Sequence, residues 1–134
     1  MTIRGQSYSR CSNVLTLDDV LPLVESFDIP VGRESPMQLA IERQLRLSGI
    51  GFDREHRLAK RDRIDFLIDG GVGIEVKVGQ SYTAVALQLL RYTESELVTG
   101  LILVTTRSSH RQLNHLPNER NVPIRVFFAS LYAF

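Results

Sequence analysis

Residues 63–79, RIDFLIDGGVGIEVKVG, constrain the fold more than any other stretch of the chain. Ile64, Phe66 and Ile68 alternate with Asp65, Leu67 and Asp69, and Ile74, Val76 and Val78 alternate with Glu75 and Lys77. Period two marks half-buried strands, and Gly70, Gly71 and Gly73 between the runs supply the positive φ of a tight loop. The stretch is therefore predicted to form a β-hairpin. Opposed residues of an antiparallel pair share a face, so burying both apolar rows together requires opposed residue numbers with an even sum, Phe66 facing either Ile74 or Val76. A two-residue Gly70-Gly71 loop makes that sum odd and turns one row to water. A three-residue loop or a bulge is expected instead.

The same register puts Asp65 on the face of Glu75 and Lys77, the side away from the main apolar face of the sheet. From these residues alone, two acids and an ammonium admit two readings. One is a solvated hairpin face with a cross-strand salt bridge; the other is a site where the three converge on a ligand.

The flanking segments supply the layers around this hairpin. Thr16–Phe27 is predicted as a short helix with Thr16 as N-cap, Asp19 completing a capping-box-like start, and a stripe of Leu17, Val20, Leu21, Val24 and Phe27. Ser35, Pro36 and Gln38 read as N-cap, first helical residue and capping-box partner of a second helix. That helix is expected to run to about Ser48 and stop at Gly49, with Met37, Ala40, Ile41, Gln44, Leu45 and Ser48 facing inward and Glu42 beside the stripe.

Phe52–Ala59 reads as the first strand of a meander leading into the hairpin. The neighbouring basic run of Arg54, Arg57, Lys60, Arg61 and Arg63 is either a solvated loop or a track for a phosphate backbone. His56 is either structural or in reach of a phosphate. Ser81–Leu97 has helical spacing, with Ser81 as cap and Gln88 and Tyr92 four apart on one face. Gly100–Thr105 is the continuous apolar run of a strand buried on both sides in a parallel pairing, so strand, helix and strand make a right-handed crossover. Ser108 and Ser109 are expected to cap a short helix, and Val122–Ser130 to form a last strand, at an edge because of Pro123.

Asp65 followed after a nine-residue gap by Glu75-Val76-Lys77 resembles the motif of the PD-(D/E)XK nuclease superfamily, with Ile64 where the family motif has proline. Gln88-x-x-x-Tyr92 is similar to the motif of its RecB-like members. The resemblance covers about residues 35–130. It implies an α/β fold with a restriction-endonuclease-like αβββαβ core, a mixed central sheet flanked by helices, and a Mg²⁺-dependent deoxyribonuclease in which Mn²⁺ substitutes for Mg²⁺.

By that resemblance Asp65, Glu75 and the Val76 carbonyl hold the metal, Glu42 from the preceding helix completes the set, and Lys77 positions or activates water. Gln88, Tyr92 and Arg91 hold the DNA strand, aided by Arg61, Arg63 and His56. Mg²⁺ suits such a set because it takes hard oxygen ligands through one or two carboxylates and keeps waters for the substrate. The alternatives are a non-catalytic DNA-binding or assembly protein on the same fold, and a purely structural salt-bridge cluster.

At 134 residues, 43% hydrophobic and 23% charged, the chain is read as one domain, with an arm and short helix over residues 1–34 and the nuclease-like part over 35–134. No apolar run is long enough to span a bilayer, the start MTIRGQSYSR lacks the apolar stretch of a signal peptide, and Cys11 stands alone, so a cytoplasmic location is expected. The net charge is only +1, carried by 14 arginines and two lysines. So small a domain leaves little surface for sequence recognition. A structure-selective nuclease, acting as a homodimer or as a subunit of a larger DNA-processing complex, fits better than a lone restriction enzyme.

Overall fold

The fold follows from the hairpin and what each of its faces must bury. The structure is a computed structural model that describes residues 14–130; the expected N-terminal arm, apart from Val14, and Cys11 lie outside the described residues. In chain order the elements are α1 (Leu17–Glu25), α2 (Glu34–Leu47), β1 (Phe52–Ala59), β2 (Asp62–Ile68), β3 (Val72–Lys77), α3 (Tyr82–Thr93), β4 (Gly100–Thr105), a 3-10 helix (Ser108–Leu113) and β5 (Ile124–Phe128). The strands form one mixed sheet in the order β1-β2-β3-β4-β5, antiparallel over β1-β2-β3 and parallel over β3-β4-β5. No helix among the described residues is long and apolar enough to cross a membrane.

The hairpin has the parity that burial demands. Phe66 pairs with Ile74 and Leu67 with Gly73, which leaves a three-residue loop, Asp69-Gly70-Gly71. Gly70 and Gly71 have φ of 104° and 112°, a region closed to side chains with a Cβ. The loop is closed by the Gly71 N–H donating to the Ile68 carbonyl at 2.8 Å.

Both faces of the sheet are covered. Phe66, Ile68, Val72, Ile74, Val76, Ile102 and Val104 pack under α1 and α2 in one cluster, with Val20, Val24, Met37, Ile41 and Leu45 from the helices. α1 is thus part of the same core as the rest. Leu67, Leu101, Leu103 and Ile124 pack on the other side with Val85, Leu89 and Tyr92 of α3 and with Leu113.

Strict alternation places Ile64 with Phe66, but Ile64 belongs to the α3 cluster. Two local features account for the crossover. Glu55, between the paired residues Arg54 and His56 on β1, has a left-handed φ of 49°, so the ladder does not continue evenly through this point. Gly73 has no side chain, and a Cβ there would collide with the Ile64 Cδ1 that occupies the space.

Several element boundaries differ from the sequence expectation, and α1 too ends earlier, at Glu25 rather than Phe27. α2 begins at Glu34 with Arg33 in the N-cap position, two residues ahead of the expected Ser35 cap; Pro36, lacking an N–H, fits anywhere in the first turn, where no intrahelical acceptor exists. α3 ends at Thr93 rather than Leu97 because Arg120 donates to the Thr93 and Ser95 carbonyls and turns the chain. The last strand spans only Ile124–Phe128, at the edge beside β4.

Candidate functional site

The site arises where β2 parts from β3. Their backbone register covers Phe66↔Ile74 and Leu67↔Gly73 and goes no further. One step on, carboxylates replace the ladder. The Asp65 N–H donates to Glu75 Oε1 at 3.1 Å, and the Val76 N–H donates to Asp65 Oδ2 at 2.8 Å. Lys77 Nζ lies 3.2 Å from Glu75 Oε2. Asp65, Glu75 and Lys77 therefore stand together at the divergence of two strands, as the hairpin parity required.

Their surroundings differ from a solvated hairpin face. α3 covers this side of the sheet, so Glu75 is 2% and Lys77 7% exposed. Burial, followed by the charge of Asp65, pushes the Glu75 carboxyl up to about 7 against the opposing pull of Lys77. Asp65 is also raised, first by burial; the Val76 N–H and Lys77 oppose the shift, and the charge of Glu34 adds to it. One buried and one half-buried acid beside a single ammonium carry a net negative charge that desolvation disfavours.

Gln88 and Tyr92 come to the same place. Gln88 Nε2 donates to the Tyr92 hydroxyl at 2.8 Å, and that hydroxyl donates to the Arg63 carbonyl on β2 at 3.1 Å. Burial raises the Tyr92 phenol well above its ordinary range, and the nearby charges of Glu75 and Asp65 act in the same direction. The helical pair is thus packed against the acids, but Tyr92 is fully buried and cannot itself touch a DNA strand, contrary to the expectation; only the half-buried Gln88 can.

The other expected site residues are placed differently. Both oxygens of Glu42 are engaged by guanidinium groups, Arg54 Nε at 3.1 Å and Arg46 Nη2 at 2.9 Å. These hydrogen bonds hold its carboxyl below the usual range, Arg46 contributing most. Arg91 Nε bonds Asp62 Oδ1 at 3.0 Å. His56 Nδ1 lies 3.1 Å from Asp53 Oδ2, its polar contact being with its own strand. Arg61 and Arg63 are exposed at the end of the β1–β2 hairpin.

Two residues at the site escaped the sequence reading. Glu34, the first residue of α2, is the helical acid whose charge Asp65 feels; the preference for acids at helix N-termini was the available signal. Arg54 is the second, since the sequence placed it only in the basic run, as a solvated loop residue or part of a phosphate track, and the structure turns it inward instead. Its guanidinium donates to the Asp65 carbonyl at 2.9 Å, to Glu42, and to Gln38 Oε1 at 3.1 Å, and it lies 4.6 Å from the centre of the Phe66 ring. β1 alternates half-buried and exposed residues starting from Phe52, so Arg54 falls on the inner side, and that alternation was visible.

The donor set suits Mg²⁺ in kind. It offers two carboxylates held close by the backbone, with Asp65 Oδ1 making no hydrogen bond among the described residues, and Mg²⁺ needs no more than one or two carboxylates from a protein. A cation would also relieve the repulsion between the buried Glu75 and the half-buried Asp65. Among the described residues, however, no group of three or more His, Cys, Asp or Glu side chains is arranged to hold a metal ion. Compared with known protein families, curated proteins and solved structures, the chain has no significant match in any of the three.

Proposed function

We propose that this chain is a Mg²⁺-dependent deoxyribonuclease on a restriction-endonuclease-like scaffold. The observation that carries the proposal is the convergence of Asp65, Glu75 and Lys77 where β2 parts from β3, with Gln88 and Tyr92 packed against them. The order α2-β1-β2-β3-α3-β4 supports it as an αβββαβ arrangement.

Asp65 and Glu75 are the residues that hold the ion, and Mn²⁺ can take its place. When bound, the metal supplies Lewis-acid polarisation of the phosphodiester and a water of lowered pKa. Lys77 directs an N–H at the attacking water and offsets the negative charge that develops on the phosphate oxygens. Burial strengthens that term, because the ammonium acts in a poorly hydrated setting. Tyr92, fully buried, is fixed to the Arg63 carbonyl and holds the half-buried Gln88 in place, and Gln88 is the member of the pair that faces the substrate strand. A cytoplasmic, structure-selective enzyme working as a homodimer or within a larger DNA-processing complex is the setting that fits a domain of this size.

One observation favours a second reading, a non-catalytic DNA-binding or assembly protein. Each acid already accepts a hydrogen bond from a backbone N–H, as carboxylates in a structural cluster do. Incubation of the protein with linear, nicked and branched DNA in Mg²⁺, Mn²⁺ or EDTA separates the two. Cleavage that needs the metal and is lost in Lys77→Ala supports the nuclease. DNA binding without cleavage of any substrate supports the second reading.

A further inference from the structure

Beyond Asp65 and Ile64, β1 and β2 continue as a two-stranded arm that β3 does not accompany. β1–β2 pairing persists through His56↔Ile64 and Arg57↔Arg63 to Ala59↔Asp62, whereas β2–β3 pairing has ended at Phe66↔Ile74. The arm is fixed to α3 rather than free. Leu58 and Ile64 pack into the α3 cluster, Asp62, 8% exposed, bonds Arg91, and the Tyr92 hydroxyl bonds the Arg63 carbonyl. One face is thus occupied, which leaves the other face and the tip for a partner.

The free side is basic. Residues 55–63 carry four cations, Arg57, Lys60, Arg61 and Arg63, against two acids, a net +2. Since the whole chain is +1, all remaining residues together sum to −1. Asp62 is turned in toward Arg91, while all four cations are exposed. Glu55 is the one acid left beside them, 3.9 Å from Arg63, with both side chains more than half exposed, a pair of little strength in water. Arg54, on the same strand, is spent inward on Glu42, Gln38 and Asp65.

We propose that this arm is a sequence-independent clamp for the phosphate backbone of a DNA duplex, holding the strand that runs toward the Asp65–Glu75–Lys77 cluster. The proposal rests on the nucleic-acid reading above and adds the mode of recognition. With its inner face packed on α3, the ribbon cannot enter a groove and present base-reading side chains from both sides. What it offers outward is a row of long cations, which contact phosphates and carry no base information. Its attachment to α3 makes the clamp rigid relative to Gln88 and Tyr92, so phosphate contacts on the arm set the register of the scissile bond.

The test measures fluorescence anisotropy of two 20-base-pair fluorescein-labelled duplexes of unrelated sequence, in EDTA, from 50 to 200 mM NaCl. The wild type is compared with the exposed-residue variant K60Q/R61Q/R63Q, whose fold is checked by circular dichroism. Each phosphate-contacting cation adds a loss of about 3- to 4-fold in affinity over that salt range. The triple variant is therefore expected to shed about 40-fold of the salt-induced loss and to weaken equally for both sequences. An unchanged salt slope in the variant, or a strong preference of the wild type for one sequence, overturns the clamp even if the enzyme cleaves DNA. A slope that falls as expected, in a protein that cleaves nothing, upholds the clamp and removes the nuclease. A wild type that neither binds nor cleaves DNA removes both.

Discussion

The burial of Glu75, with the half-buried Asp65 beside it, makes the stability of the metal-free protein depend on pH in an unusual direction. Glu75 titrates near 4.5 in an unfolded chain and is pushed up to about 7 in the fold. Between those values the folded state binds the proton and the unfolded state does not, so stability is fully present below about pH 4.5 and is lost as pH rises through 7. The difference amounts to on the order of 3 kcal/mol, and at 2% exposure little of it is screened by solvent. For a domain of this size that corresponds to a fall in Tm on the order of 10 °C. Asp65 is raised as well and adds in the same sense. Asp19 and Glu42 are held low, so their contribution has the opposite sign, stability lost as pH falls, and cannot produce a loss on raising the pH. The assay is thermal unfolding in EDTA from pH 5 to 8.5, for the wild type and for Glu75→Gln. The wild type is expected to lose stability across the range, the variant to lose much less, and Mg²⁺ at pH 8 to restore the wild type alone. Equal slopes for the two proteins in EDTA would refute the reasoning.

Gly73→Ala is expected to cost about 1–3 kcal/mol by overpacking against Ile64 and Leu101, measured by urea unfolding. The double variant with Ile64→Val, which removes the colliding Cδ1, should recover part of that loss; additive losses would show that the contact is not the cause. Arg54→Lys is expected to destabilise by about 1–3 kcal/mol, because a point ammonium cannot reproduce the fork that reaches Glu42, Gln38 and the Asp65 carbonyl together. A fully stable Arg54→Lys protein in the same unfolding assay would count against that bridge.

How the site could be read from the sequence depends on the range of the interactions behind each part. Period two, a glycine loop and the parity of a hairpin are local rules, and they were enough to bring Asp65, Glu75 and Lys77 to one place. The four-residue spacing of Gln88 and Tyr92 was equally local, and their hydrogen bond follows from it. Ile64 did not obey the alternation, because its face depends on Gly73 across the hairpin and on the left-handed Glu55 beside it. That Glu42 is engaged away from the cluster depended on how α2 sits on the sheet, and Arg54 ties the two together through partners 11, 12 and 16 residues away.

By itself, then, the order of residues determined the helices and strands, the hairpin register and the convergence of Asp65, Glu75 and Lys77, since each of these needs only neighbours a few positions apart or directly across a turn. Only the tertiary structure decided that the cluster is buried rather than solvated, that Glu42 is spent on two arginines, and that Arg91 is turned to Asp62, 29 residues away. The reason is physical: desolvation and ion pairing depend on which elements pack against a side chain, and that packing brings together groups that no local period relates.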